Sequence, residues 1–139
     1  MALTLEDRLA VQELMVRYAY GIDTDCTEAG WLDLFTENAV MTSPFSGVHE
    51  GFEGVKQFRN KFLPRRGKIQ IRHVITNFLV DGEGDRATLK AYFTELKTDL
   101  QASKPKTELF FCGSYDCVAR KIDGKWKLER RTVNIDALP

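Results

Sequence analysis

Two titratable side chains of this chain have the types and the positions needed to move a proton together. Asp23 ends the segment 17–23, which follows an amphipathic helical pattern, and His73 lies within the apolar stretch 69–75. An imidazole is a natural general base near neutral pH, and a carboxylate beside it orients the ring and stabilises its protonated form. We therefore predict a His–Asp pair if the fold brings the end of the helix to this stretch.

The helix before Asp23 is the clearest predicted element. Thr4 and Asp7 have the spacing of a capping box, and Gly21 is the predicted end of the helix. Its apolar stripe, at helical spacing, consists of Leu5, Leu9, Val11, Leu14, Met15 and Tyr18.

Shorter elements follow this helix. We predict a second helix over 27–35, a turn over 36–38 and a short strand over 39–42. A turn over 49–54 leads into a third helix, which Pro64 ends.

After Pro64 the hydrophobic period changes to that of strands. Four long strands joined by hairpins are predicted over 68–80, 86–100, 108–121 and 125–135. This order of elements predicts a single α+β domain over 1–139, with three N-terminal helices packed on a strongly curved antiparallel sheet. A cone of this kind encloses a pocket, in which Asp23 and His73 are expected to converge.

The charge balance excludes several classes of partner. The chain of 139 residues has 20 basic and 20 acidic residues, and the basic ones are scattered. We therefore expect no binding to nucleic acid. No signal peptide and no apolar run long enough to span a bilayer are visible, so we expect no membrane partner and a cytoplasmic location.

The cysteines and histidines do not have the spacing of a metal site. Cys26, Cys112 and Cys117 are predicted to be small core residues, and 112 and 117 lie on opposite faces of a strand. The two histidines, His49 and His73, are far apart in sequence. We expect no metal and no cofactor.

Five sequence motifs, spread from about residue 5 to residue 138, together resemble one known family. They are Arg-Tyr-x3-Ile-Asp, Trp-Leu-x-Leu-Phe, Gly-x3-Val-x2-Phe, Arg-His-x3-Asn and Asp-Gly-x-Trp-Lys-Leu. This combination resembles the SnoaL-like branch of the nuclear-transport-factor-like superfamily. The resemblance implies the cone-shaped fold, whereas the functions within the superfamily range from dehydratases and isomerases to binding modules.

Within that branch the chain resembles scytalone dehydratase, hexachlorocyclohexane dehydrochlorinase and bile-acid dehydratase, which use a His–Asp pair for eliminations without a cofactor. Asp23 and His73 fall on that pair. Tyr18 falls on a functional tyrosine of bile-acid dehydratase, and Glu95 falls on its acid on the second long strand. The resemblance thus implies catalytic roles for His73, Asp23 and Tyr18, and a substrate contact for Glu95.

Other positions depart from these relatives. Phe93 falls near a second active-site histidine, Met41 or its neighbour Thr42 near a tyrosine, and Asn134 on an arginine of the last strand. Asn77 repeats the strand parity of His73. We predict Phe93, Met41, Asn134 and Asn77 as substrate-binding positions.

Each candidate also has a structural explanation. Asp23 could cap the helix, and His73 could be a hydrogen-bonded core residue. Packing alone could explain the position of Tyr18 on the apolar stripe. Glu95 shares a strand face with apolar residues, where a carboxylate is costly unless it is paired or protonated. His49 is predicted to lie on the surface in a loop.

The resemblance and the residues together favour a cofactor-independent lyase that acts on a hydrophobic cyclic or aromatic small molecule. An isomerase of the ketosteroid type and a non-catalytic binding module are the alternatives. The small subunit of a ring-hydroxylating dioxygenase shares the fold, but those subunits are longer. We expect a homodimer that pairs through the outer face of the sheet.

Overall fold

The structure is a computed structural model, and it describes residues 1–24 and 27–137. The helices are α1 (Leu5–Asp23), α2 (Glu28–Leu32) and α3 (Gly51–Asn60), and a short 3-10 helix spans Leu63–Arg65. The strands are β1 (Phe35–Ser43), β2 (Gly47–Glu50), β3 (Ile69–Glu83), β4 (Arg86–Asp99), β5 (Thr107–Ile122) and β6 (Lys125–Ile135). None of the helices in the described residues is long and apolar enough to cross a membrane.

The predicted capping box begins α1. The Thr4 side chain accepts from the Asp7 backbone N–H at 3.0 Å, and the Asp7 carboxylate accepts from the Thr4 N–H at 3.1 Å. The predicted end of the helix at Gly21 is wrong, because α1 continues to Asp23. Gly21 is required for packing instead, since a Cβ there would lie 1.8 Å from Cδ1 of Trp31.

The buried face of α1 is narrower than the predicted stripe. Val11, Leu14, Met15 and Tyr18 are buried, but Leu5 and Leu9 are exposed. By the rotation of about 100° per residue, Leu9 lies roughly 200° around the helix from Val11, on the side away from the sheet. The predicted burial of Leu5 and Leu9 is therefore wrong.

The six strands form one sheet in the order β2-β1-β6-β5-β4-β3. The long strands β3 to β6 pair antiparallel, as predicted. The sheet is nevertheless mixed, because β1 runs parallel to β6, a pairing that the predicted antiparallel sheet did not include.

Two predicted boundaries near β1 are also wrong. The turn predicted over 36–38 lies inside β1, where the pairing with β6 shifts between Phe35 and Val40. An irregular strand of this kind has polar residues that resemble a turn in sequence. The helix predicted over 27–35 ends at Leu32.

The sheet curves around α1. That helix contacts β3 at one edge of the sheet and also β6, although two strands separate them. In a flat sheet β3 and β6 would be about 14 Å apart, which is more than the diameter of one helix. The inner side of this open, cone-shaped sheet forms a cavity beneath the end of α1.

The cysteines have different environments. Cys117 is buried in the core, as predicted, whereas Cys112 is exposed, so the core prediction for Cys112 is wrong. Cys112 lies on the outer face of β5, where alternation along the strand points it away from the helices. Cys26 lies outside the described residues.

We predict that Gly21→Ala lowers the stability of the protein. In an open helix this change stabilises by about 0.5–1 kcal/mol, but here the added methyl group overlaps Trp31, and overpacking typically costs about 1–3 kcal/mol. Thermal unfolding of the variant should therefore show a lower Tm than the parent protein.

The double variant Gly21→Ala/Trp31→Leu is the control, because the smaller side chain leaves room for the methyl group. Its loss of stability should be smaller than the sum of the two single losses. A rise in Tm for Gly21→Ala alone would show that the close contact with Trp31 does not govern this position.

Candidate active site

Asp23 and His73 meet where the end of α1 reaches β3. Oδ1 of Asp23 lies 2.7 Å from Nδ1 of His73, and Oδ2 accepts the backbone N–H of His73 at 2.7 Å. Gln70 adds a third link, because its side-chain amide donates to the Asp23 carbonyl at 3.0 Å. Both side chains are nearly buried, with 8% of Asp23 and 6% of His73 exposed.

This contact sets the proton on the imidazole. An ionised carboxylate only accepts hydrogen bonds, so Nδ1 of His73 carries the hydrogen that points to Asp23. In the neutral ring Nε2 then has a free lone pair. The nearest carboxyl on that side is Glu95, whose Oε2 lies 3.7 Å away, too far for a direct hydrogen bond. Nε2 is therefore available to a ligand in the cavity.

Glu95 is brought to His73 by strand register. The two residues are direct neighbours across the antiparallel pair β3–β4, so their side chains share one face. Burial raises the pKa of the Glu95 carboxyl, and the charge of Asp23 raises it further, while His73 and Arg65 act in the opposite direction. The net shift of the Glu95 pKa is upward, so this carboxyl keeps its proton to a higher pH than an ordinary glutamate does.

Tyr18 lies on the last turns of α1 and its side chain is fully buried. Its ring contacts the rings of His73 and Tyr115, with centroid distances of 6.5 and 6.0 Å. Burial raises the pKa of the Tyr18 phenol to about 12, so the hydroxyl keeps its proton at neutral pH. A protonated phenol can donate a hydrogen bond.

Tyr18, His73 and Glu95 line one cavity of about 340 Å³. Aromatic rings make up much of the rest of its wall, namely Phe45, Phe58, Phe62, Phe93, Phe110, Phe111 and Tyr115. Asp23 lies behind His73 and does not line this cavity. The arrangement suits a flat, apolar molecule with a few polar groups.

Of the predicted substrate-binding positions other than Glu95, Phe93 lines the cavity and the remaining three do not. Asn77 has a positive φ of 56° at an irregularity in the β3–β4 pairing, which leaves it exposed. Met41 is buried in the core away from the cavity wall. Asn134 faces outward and donates to Asp116 at 3.0 Å, because it alternates with the cavity residues Val133 and Ile135.

Two residues near the cavity were missed by sequence reasoning. The prediction of His49 as a surface residue is wrong, because His49 is buried in β2 with its ring 5.5 Å from that of Phe58. Arg131 lines the cavity and is only 2% exposed. A signal for Arg131 was available, since it has the same strand parity as Val133 and Ile135.

The described part of the chain has no cluster of side chains that could bind a metal ion. Residues 1–24 and 27–137 contain no group of three or more His, Cys, Asp or Glu side chains arranged to hold an ion.

We predict that the stability of Glu95→Gln relative to the parent protein increases from mildly acidic to neutral pH. A carboxyl whose pKa is raised on folding binds its proton more tightly in the native state, so stability falls as pH rises above the ordinary value of 4.5. Glutamine does not titrate, so the advantage of the variant over the parent protein should grow from about pH 4.5 towards neutrality. Chemical denaturation at a series of pH values measures it.

The control is Glu37→Gln, which removes an exposed glutamate from β1. Its difference from the parent protein should change far less over the same pH range. An unchanged or shrinking difference for Glu95→Gln would contradict the raised pKa.

Comparison with known proteins agrees with this architecture. A model of the SnoaL-like domain matches residues 3–132. No curated protein matches the chain significantly. A protein of unknown function with a cystatin-like fold from Nostoc punctiforme is 27% identical, with 100% of this chain and 98% of the other covered and a TM-score of 0.84.

Two structures from Novosphingobium aromaticivorans are also similar. A candidate aromatic ring hydroxylase is 31% identical over 98% of this chain and 93% of the other, with a TM-score of 0.77. A candidate scytalone dehydratase is 18% identical over 96% and 86% of the two chains, with a TM-score of 0.78, and shares the fold. The cavity and these similarities support an enzyme or binding module for a small molecule, and the chain belongs to the SnoaL-like family.

Proposed function

We propose that the protein is a cofactor-independent lyase that removes water from a hydrophobic cyclic or aromatic small molecule. The observation that carries this proposal is the 2.7 Å contact between Nδ1 of His73 and Asp23, which leaves Nε2 facing the cavity. A base in that position, next to a carboxyl whose pKa is raised by burial, is the minimum equipment for an elimination.

The reaction begins with proton abstraction. Nε2 of His73 takes a proton from the carbon next to a carbonyl group of the substrate, and the electron pair of that C–H bond moves towards the carbonyl. The Tyr18 hydroxyl, which stays protonated, donates a hydrogen bond to the carbonyl oxygen as its negative charge grows. Asp23 stabilises the imidazolium that forms.

The second step expels the hydroxyl group. The electron pair returns to form a carbon–carbon double bond, the C–O bond breaks, and Glu95 transfers its proton to the departing oxygen, so that water leaves. His73 then holds one extra proton and Glu95 lacks one. Their separation of 3.7 Å allows the proton to return to Glu95, directly or through water, which restores both groups.

We predict that His73→Ala and Asp23→Asn each lower turnover by about a hundredfold or more, since the first removes the base and the second removes the charge that stabilises the imidazolium. The double variant should be little worse than the worse single variant, because the two residues act in one step. Turnover can be followed by ultraviolet absorbance on a panel of hydroxylated cyclic ketones, in which dehydration extends the conjugation.

Arg72→Ala and Asp81→Asn are matched controls, because both residues are exposed on β3 and face away from the cavity. Their turnover should equal that of the parent protein. Since no step uses a metal ion, a chelator should also have no effect. Full turnover by His73→Ala would refute the proposal, and tight binding of panel compounds without turnover would favour the binding module.

A further inference from the structure

The cavity contains a second polar cluster, distinct from the His73 site. We call it the basic end, and it consists of Arg131, Lys61 and Ser46, which all line the cavity, with His49 buried beside them. Arg131 and His73 approach the same ring, with Cζ of Arg131 5.4 Å and the His73 ring 6.5 Å from the centroid of Tyr18. The basic end and the His73 site therefore share Tyr18 as a neighbour.

Arg131 is the centre of the basic end. Its guanidinium is packed against three aromatic rings, with Cζ at 5.0 Å from the centroid of Phe58, 5.4 Å from Tyr18 and 5.7 Å from Tyr115. Nε and Nη2 are buried and have no hydrogen-bond partner within the described part of the chain. The three aromatic rings stabilise part of the positive charge of Arg131. They do not replace the hydrogen bonds that its N–H groups could donate in the plane of the guanidinium.

The unpartnered atoms of Arg131 indicate the shape of the missing group. Nε and Nη2 lie on the same edge of the planar guanidinium, and their N–H bonds are parallel. Two parallel donors at this spacing match the two oxygens of a carboxylate. A buried arginine without such a partner is costly to the free protein, which indicates a role in binding rather than in stability.

The neighbours of Arg131 reinforce the positive character of the basic end. Lys61 makes no ion pair with any residue that the structure describes, and Oγ of Ser46 and Nε2 of His49 are buried without a partner there. Burial lowers the pKa of His49, and the charges of Lys61 and Arg131 lower it further. Glu95 is the one acidic residue among those that line the cavity in the described ranges.

We propose that the basic end binds an ionised carboxylate of the substrate, which is therefore a cyclic or aromatic carboxylic acid. Arg131 holds the carboxylate through Nε and Nη2, and the Ser46 hydroxyl and the charge of Lys61 assist it. The aromatic wall between the basic end and His73 holds the ring system. This inference deepens the proposed function and rests on it for the chemistry at His73, but the binding itself does not depend on turnover.

The test compares ligands that differ only in charge. Calorimetry at neutral pH would measure the binding of benzoate, naphthalene-2-carboxylate and anthracene-2-carboxylate, each beside its neutral carboxamide. We expect at least one acid to bind about tenfold or more tightly than its amide, the size of effect that a charge-assisted bidentate contact provides. The buffer should contain neither carboxylate nor phosphate.

Substitutions of two adjacent arginines show which residue causes the preference for the acid over the amide. Arg131→Met should reduce the preference for the acid to about one, while its affinity for the amide changes little. Arg130→Met removes the same charge from the neighbouring, exposed position of β6, and it should keep the preference.

Several outcomes would overturn this inference. They are the absence of a preference for every acid in the panel, an equal loss of acid and amide binding in Arg131→Met, and an equal loss of preference in Arg130→Met. The proposed function fails separately: a protein that prefers acids through Arg131 but whose turnover is indifferent to His73→Ala would keep the basic end and lose the lyase mechanism.

Discussion

The site depends on one carboxylate that bonds twice to the same residue. Asp23 accepts the backbone N–H of His73 with one oxygen and contacts the imidazole with the other, both at 2.7 Å. The position of the strand and the orientation of the ring are thus set together. The last turn of a helix is electrostatically unfavourable for a negative charge, and these two donors, with His73 able to become positive, offset that cost.

Packing contacts behind the site determine the position of Asp23. The Trp31 ring lies against Gly21, and its indole N–H donates to the Tyr18 carbonyl at 3.3 Å. This contact holds the last turns of α1, which carry both Tyr18 and Asp23. The contact between Trp31 and Gly21 therefore positions Tyr18 in the cavity wall and Asp23 behind His73.

The cavity carries an excess of buried polar groups for a wall that is otherwise aromatic. Arg131, Ser46 and Glu95 are polar side chains whose burial is unfavourable or shifts protonation in the free protein. Native interiors satisfy nearly all such groups, so a cluster of exceptions around one cavity indicates a ligand that completes them.

Local sequence patterns determined the capping box and the long hairpin strands, because these features depend on near neighbours and on period. The pairing of Glu95 with His73 depends on the tertiary structure, because the register of β3 and β4 shifts between Thr76 and Leu79. The tertiary structure alone decided that β1 runs parallel to β6, that an irregularity turns Asn77 outward, and that His49 is buried. Each of these depends on contacts between residues far apart in sequence. Arg131 illustrates both contributions. Strand parity places its side chain on the inner face of β6, whereas the curvature of the sheet brings the rings of Phe58, Tyr18 and Tyr115 around its guanidinium.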